Sequence, residues 1–233
     1  MPLNKYDMVL VDYTVKVKES GEVVETTSAD KAKEFKIYDP SRYYEPLLVI
    51  IGEGRVIKGF EEALEKADVG NEVEVEIPPE KAYGLRDPSK VKVIPLKVFL
   101  KSGVRAEVGK VVEVNGELGT VRSVSSGRVV VDFNHPLADK TLIYRFKVVK
   151  KLEDDIEKVK YLIKRHIRDI ALDDINVSIE GEPRRVVVEL PRKVLLSEGI
   201  QYAKRLASDD ILKYLNANEV VFIERYSREG TSK

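Results

Sequence analysis

The sequence predicts an α+β protein, on three observations. Alternating strand patterns dominate the first two thirds. A single short amphipathic helix interrupts them. The last third then switches to the order helix, hairpin, helix, strand, an αββαβ unit. At 233 residues the chain has room for one large domain or two to three small ones.

The elements follow in order. "MVLVDYTVKVKESGEVVETT" alternates on both sides of Ser20-Gly21, which predicts a hairpin. "YYEPLLVIIGEG" ends a buried strand with two glycines. In "GFEEALEKADVG", Phe60, Ala63, Leu64 and Ala67 share one helical face, and Gly70 suits the stop. "NEVEVEIPPEKAYG" is another alternating strand, ended by Pro78-Pro79. From about Leu85 to Val131 the grammar changes. "VKVIPLKVFLKSG" predicts a strand and a short helix, "KVVEVNGELGTVRSV" a hairpin at Asn115-Gly116, and "SSGRVVVDF" a further strand. That stretch reads as an inserted subdomain. "KTLIYRFKVVKKL" then alternates as a last strand of the first domain.

After "EDD" (Glu153 to Asp155), Ile156, Val159, Ile163, Ile167 and Ile170 repeat at helical spacing. "INVSIEGEPRRVVVEL" is a hairpin. A second helix spans Leu195 to Leu215, with Ile200, Ala203, Ala207 and Ile211 on one face, and "EVVFIERY" is a final strand. One face of each helix covers the three-stranded sheet. Val186-Val187-Val188 leaves both sheet faces apolar, so the second face or an edge strand suits a partner, with a homodimer favoured.

Composition excludes several function classes. Lys+Arg and Asp+Glu balance at 40 each, which gives no global attraction to nucleic acid or acidic membranes. Absence of Cys removes disulfides, thiol chemistry and thiolate metal sites. Asp7 and Asp12 break any signal-peptide apolar run, and no window approaches the ~20 apolar residues of a membrane span. Abundant Lys, Arg and Glu without Cys or Trp resembles a cytoplasmic thermophile protein. His166, in "LIKRHIRD", reads as part of a solvated face. His135 lies in "VVVDFNHPLADK" beside Asp132, Asn134 and Asp139. No phosphate loop, nucleophile elbow or His-x-x-x-His pair occurs, so no metal or cofactor is expected. What remains is an apolar and aromatic set: Tyr13, Val24, Leu47, Val56, Ile57, Phe60, Tyr83 and Tyr144. Each alone is an ordinary core residue.

Taken together the motifs say more. "VDYTVKVKESGEVVETT", "IGEGRVIKGFEEAL", "VEIPPEKAYG" and "NHPLADKTLIYRFKV" occur in that order. The chain resembles the FK506-binding (FKBP-type) peptidyl-prolyl cis-trans isomerases, and within them the long archaeal branch with a SlyD-like insert-in-flap domain and a C-terminal domain. The resemblance implies an antiparallel sheet wrapped on a short helix. It implies an isomerase domain from residues 1–84 and 132–152, an insert-in-flap chaperone domain from 85–131 and a C-terminal domain from 153–233. The cluster around His135 is then mainly the join where the chain re-enters the first domain, with Asp132 and Asn134 satisfying turn backbone. Phe60 takes the pocket floor, and the Ile57 N–H meets a substrate carbonyl. Tyr13, Val24, Leu47, Val56 and Tyr144 supply walls. The Tyr83 hydroxyl donates.

The sequence departs from the family pattern at Val24 and Glu25, where many members have Phe-Asp, and at Asp139, where Gly is usual. The implied substrates are proline-containing or unfolded polypeptides. Two alternatives were weighed: a non-catalytic chaperone or assembly module, and a KH-like nucleic-acid module in the C-terminal third. The missing G-x-x-G loop there argues against the latter.

Overall fold

The computed structural model describes residues 3–225. A five-stranded antiparallel sheet holds β1 (Met8–Val17), β2 (Val23–Thr26), β3 (Leu47–Ile50), β4 (Glu72–Ile77) and β9 (Leu142–Leu152). β1 is central. β9 pairs along its whole length, from Met8↔Leu152 to Val17↔Leu142, while β2 and β3 lie along its other edge. β4 closes the far side of β9.

The β2–β3 connection holds a helix the sequence reading did not anticipate, α1 (Ala29–Glu34), capped by Ser28 Oγ accepting from Lys31 N. Six residues are too few to establish a helical period, so the pattern was silent. The core helix α2 (Lys58–Leu64) stops well before Gly70. The Lys66 and Ala67 N–H groups donate to Ala63 and Leu64, three residues back, so the chain tightens out of the helix while Ala67 stays buried. Phe60, Leu64 and Ala67 pack with Val9, Val11 and Val15 of β1 and Tyr144, Phe146 and Val148 of β9.

A second sheet lies within the chain between β4 and β9. It comprises β5 (Val91–Pro95), β6 (Val111–Val114), β7 (Glu117–Ser125) and β8 (Arg128–Asp132), in the order β5-β8-β7-β6. α3 (Leu96–Lys101) delivers Phe99, 2% exposed, into a small core of Val112, Val121, Val129 and Val131. The β6–β7 hairpin turns on Asn115 and Gly116, both at positive φ (54° and 84°), which the two-residue loop requires.

A third sheet joins β10 (Asn176–Glu180), β11 (Arg185–Glu189) and β12 (Glu219–Ile223), with β12 parallel to β11. Tyr226, included in the sequence expectation for that strand, lies outside the described residues. α4 (Asp155–His166) starts at Asp154, whose side chain accepts from Glu157 N at 2.8 Å. The expected helix over Leu195 to Leu215 is broken. It becomes α5 (Arg192–Leu195) and α6 (Ile200–Tyr214), separated by a turn that exposes Leu196 and places Gly199 at φ +75°. Left-handed backbone cannot continue a helix.

The apolar stripe on α4 also shifts. Val159, Leu162 and Ile163 are buried, Ile156 is 39% exposed, and Ile170 is buried beyond the helix end. The helices cover more than their own sheet. Met8, Leu10, Ile50 and Leu152 share a single hydrophobic cluster with Val159, Leu162, Val186, Ile211 and their neighbours. Alternate residues of β1 therefore face two cores, Val9 and Val11 toward α2, Met8 and Leu10 toward the C-terminal unit. No helix among the described residues is long and apolar enough to cross a membrane.

Candidate functional site

The site grows from a glycine turn and the helix behind it. Gly52 and Gly54 both take positive φ (80° and 75°), and their N–H groups donate to Glu61 Oε1 at 3.0 and 3.1 Å. One carboxylate on α2 thus fixes the loop that leads into α2. Ile57 is the N-cap, extended at φ −61°, ψ 144°, with no side-chain cap. Its N–H takes no acceptor among the described residues, as the first N–H groups of a helix have no partner within it.

Phe60 follows one turn on, 2% exposed. Its ring centroid lies 4.6 Å from Tyr144, 5.7 Å from Tyr13 and 5.2 Å, edge on, from Phe146. Tyr13 and Tyr144 stack at 5.9 Å. Val24, Leu47, Val56, Ile57 and Tyr83 are partly buried against the same cluster. The structure therefore gathers all eight apolar and aromatic candidates, from β1, β2, β3, α2, β9 and the turn after β4. Glu25 joins them through the Tyr13 hydroxyl, which donates to its Oε1 at 2.8 Å. Burial, then the Glu25 charge, pushes the Tyr13 phenol above its ordinary range; burial does the same for Tyr144 and Tyr83. All three hydroxyls stay protonated and able to donate at neutral pH.

Three contributors escaped sequence reasoning. Arg42 comes within 3.5 Å of Glu25 from an irregular loop with no pattern to flag it. Phe146 was legible, since it lies two residues past Tyr144 on β9 and so on the same face. His135 stacks flat on Tyr83, with centroids 3.9 Å apart and planes 5° apart. Its Nδ1 accepts from Leu137 N at 3.1 Å, and partial burial lowers its pKa, both of which favour the neutral ring.

Around it the chain is pinned as a join should be. Asp132, 1% exposed, accepts from Asn134, Arg86 and Arg122. Asn134 in turn bonds the backbone N and O of Asp87. Burial alone would raise the Asp132 carboxyl, but these donors and cations outweigh it and hold it below the usual range. Asp139, where glycine was noted as usual, takes φ +64° and accepts from Arg86 N.

The expectation for His166 fails. It is not on a solvated face: its Nε2 lies 2.8 Å from Asp210 Oδ2, with both side chains about nine-tenths covered. Arg165 beside it pairs with Glu53 and Asp210, and Tyr214 Oη donates to Glu53. The basic run on α4 is turned inward by acids on a loop and a helix distant in sequence.

Comparison with known proteins agrees with this geometry. The family model for FKBP-type peptidyl-prolyl cis-trans isomerase matches residues 2–100. Models described as "FKBP26, IF domain" and "FKBP26_C-terminal" match residues 92–137 and 155–227. The chain is 42% identical to the short-type peptidyl-prolyl cis-trans isomerase of Methanocaldococcus jannaschii, over 63% of this chain and 92% of that one. It is 34% identical to the FKBP-type isomerase SlyD of Helicobacter pylori, over 64% of this chain and 75% of that one. With an aromatic cluster packed on α2 inside the five-stranded sheet and a relative 42% identical over 92% of its own length, the chain belongs to the FKBP-type peptidyl-prolyl cis-trans isomerases and acts on proline-containing polypeptides.

Proposed function

We propose that the Phe60-floored cleft is where this isomerase rotates X-Pro bonds, and that its preferred substrates carry an apolar residue before the proline. One observation carries the reading: Ile57, whose N–H has no acceptor among the described residues, packs against the aromatic cluster of Phe60, Tyr13 and Tyr144. Amide resonance sets a barrier of about 18–20 kcal/mol, and its crossing breaks no covalent bond. A general base is therefore unnecessary. Twisting the C–N bond reduces charge separation, so an apolar, water-poor cleft penalises the planar form more than the twisted one. The Ile57 N–H and the Tyr83 hydroxyl hold carbonyls flanking the bond. Tyr13, Val24, Leu47, Val56 and Tyr144 form the walls. Glu25 fixes the Tyr13 ring by accepting a hydrogen bond from its hydroxyl. Each tenfold acceleration needs only about 1.4 kcal/mol, a scale that a few such contacts reach.

A proline-limited peptide assay tests this. Phe60→Leu and Tyr83→Phe should each lower kcat/KM while the melting transition persists. If both retain the wild-type rate, the cleft is not the site.

The proposal extends to the division of labour among residues 1–84 with 132–152, 85–131 and 153–233. The inserted unit, its sheet with α3 and the loop after it, leaves Val93, Leu100, Val108, Val111 and Leu118 between 59% and 70% exposed, which suits it to holding unfolded polypeptide as a chaperone. Replacing residues 85–131 with a short loop should spare short-peptide turnover and reduce refolding of a proline-limited protein. Equal loss on both substrates would refute the division. A cytoplasmic location and a homodimer complete the reading. Supporting the dimer, Val187 and Val221 sit part-covered on the outer face of the third sheet, and the outer edges of β10 and β12 have no strand partner among the described residues. Light scattering on the full chain decides this; a monomer at high concentration removes it.

A further inference from the structure

The isomerase cleft does not end at its own walls. Leu47 and Val56 also form one side of a second cavity, of about 330 Å³, whose opposite side comes from α4 and the residues just after it. The two regions therefore share a wall, and α4 with the residues after it supplies the far side of the second. Its lining carries four cations, Arg55, Lys164, Arg165 and Arg168, against a single anion, Glu45. Three of the cations are already engaged. Lys164 pairs with Glu45 at 2.9 Å, and Arg55 and Arg165 both pair with Glu53 behind the lining. Arg168 is exposed and makes no ion pair among the described residues. Tyr43 and Tyr161 add aromatic surface to the same walls.

We infer that this groove is an extended substrate subsite, which takes the polypeptide flanking the X-Pro bond and favours carboxylate side chains there. The inference rests on the cleft being the isomerase site. An unfolded substrate is far longer than the X-Pro pair, and each further residue advances about 3.3–3.6 Å when extended. Its flanking chain must leave the site over some surface, and this one is concave and adjoins the site through Leu47 and Val56. Tyrosine faces pack extended chain, and an unmatched guanidinium binds a carboxylate in bidentate fashion. The C-terminal unit thereby contributes to substrate choice without touching the rotating bond.

The test compares a short Leu-Pro peptide with longer peptides that carry paired glutamates or paired lysines on either side of the same core. In the full-length enzyme at low salt, kcat/KM for the acidic peptide should exceed that for the basic one by about three- to fivefold, the range one exposed charge pair provides. The preference should shrink as salt shortens the screening length. Arg168→Glu should invert it and leave the short peptide unchanged. Because Arg168 is exposed and unpaired, this variant should melt with the wild type. Equal turnover of acidic and basic peptides by the wild type overturns the inference, as does a preference that survives Arg168→Glu. The cleft reading fails separately: Phe60→Leu would then leave short-peptide turnover intact, and the groove would have no cleft to extend.

Discussion

Gly59 offers a sharp test of how α2 is seated. Gly59→Ala inside a helix normally gains up to about 1 kcal/mol of propensity. Here a methyl group at Gly59 would meet Ile77 Cγ1 and Lys81 Cβ at 3.2 Å each, and Ile77 Cγ2 closer still. Optimal carbon–carbon contact is about 3.5–4.0 Å, and both β4 and the turn after it are backbone-anchored. The helix must therefore move outward. With a contact this close to a branched side chain the overpacking cost falls in the upper part of its usual range, about 2–3 kcal/mol, which outweighs the propensity gain and leaves a net loss of about 1–2 kcal/mol.

For a chain of this size that lowers Tm by roughly 2–8 °C. The catalytic loss should be larger than the stability loss. Ile57 and Phe60 flank Gly59 on the same two turns, and a displacement near 1 Å costs up to about 100-fold in rate. Thermal melts and a proline-limited peptide assay read the two effects. Ile77→Ala removes both Ile77 contacts and leaves only Lys81 Cβ, so the double variant should be less impaired than the sum of the singles. Strictly additive losses, or a Gly59→Ala enzyme with wild-type Tm and rate, would refute the reasoning.

Three further outcomes are expected. His135→Ala should lower kcat/KM by removing the ring stacked on Tyr83, while His135→Phe restores it. Because burial depresses the His135 pKa and its Nδ1 accepts from Leu137 N, stability should fall as pH drops below about 6.5, toward the lowered native value, and His135→Phe should flatten that slope in pH-dependent melts. Asp132→Asn leaves Arg86 and Arg122 without their shared carboxylate and should cost about 1–3 kcal/mol by urea unfolding. The depressed Asp132 pKa gives stability that is present above about pH 4 and lost as pH falls through the native value, a loss the Asn variant should lack. Ending the chain at Leu152 should uncover Met8, Leu10 and Ile50, so the shortened protein should bind a hydrophobic dye and melt lower than the full chain; an equally stable fragment would show that the shared cluster contributes nothing.

Much of the site was legible because its parts sit at regular places. Phe60 is on the apolar face of a short helix, and Tyr144 lies on an alternating strand. Tyr13 follows the buried run that opens β1. The four ordered motifs then gave these positions a common purpose. His166 misled because its neighbours are basic, and charge runs usually face water. Only the approach of Glu53 and Asp210, each more than forty residues away, makes a covered ionic network at that point. The break between α5 and α6 was hidden for the opposite reason. The apolar spacing continues past it, and Gly199 near a helix start carries no fixed meaning until its left-handed backbone is known.

The sequence by itself determined the α+β class, the order of nearly every strand, the hairpin at Asn115-Gly116 and the family of the chain. These follow from local periodicity and turn chemistry, which act between residues near in sequence. Tertiary structure alone decided what covers each face. "MVLV" at the start of β1 announces a strand buried on both sides, yet nothing in those four residues says that one side meets α2 and the other the C-terminal helices. It also decided that His135 lies on Tyr83 and that Leu47 and Val56 open toward Arg168. Burial and side-chain contact depend on which distant segments share a volume, and that is set by the packing of the whole chain.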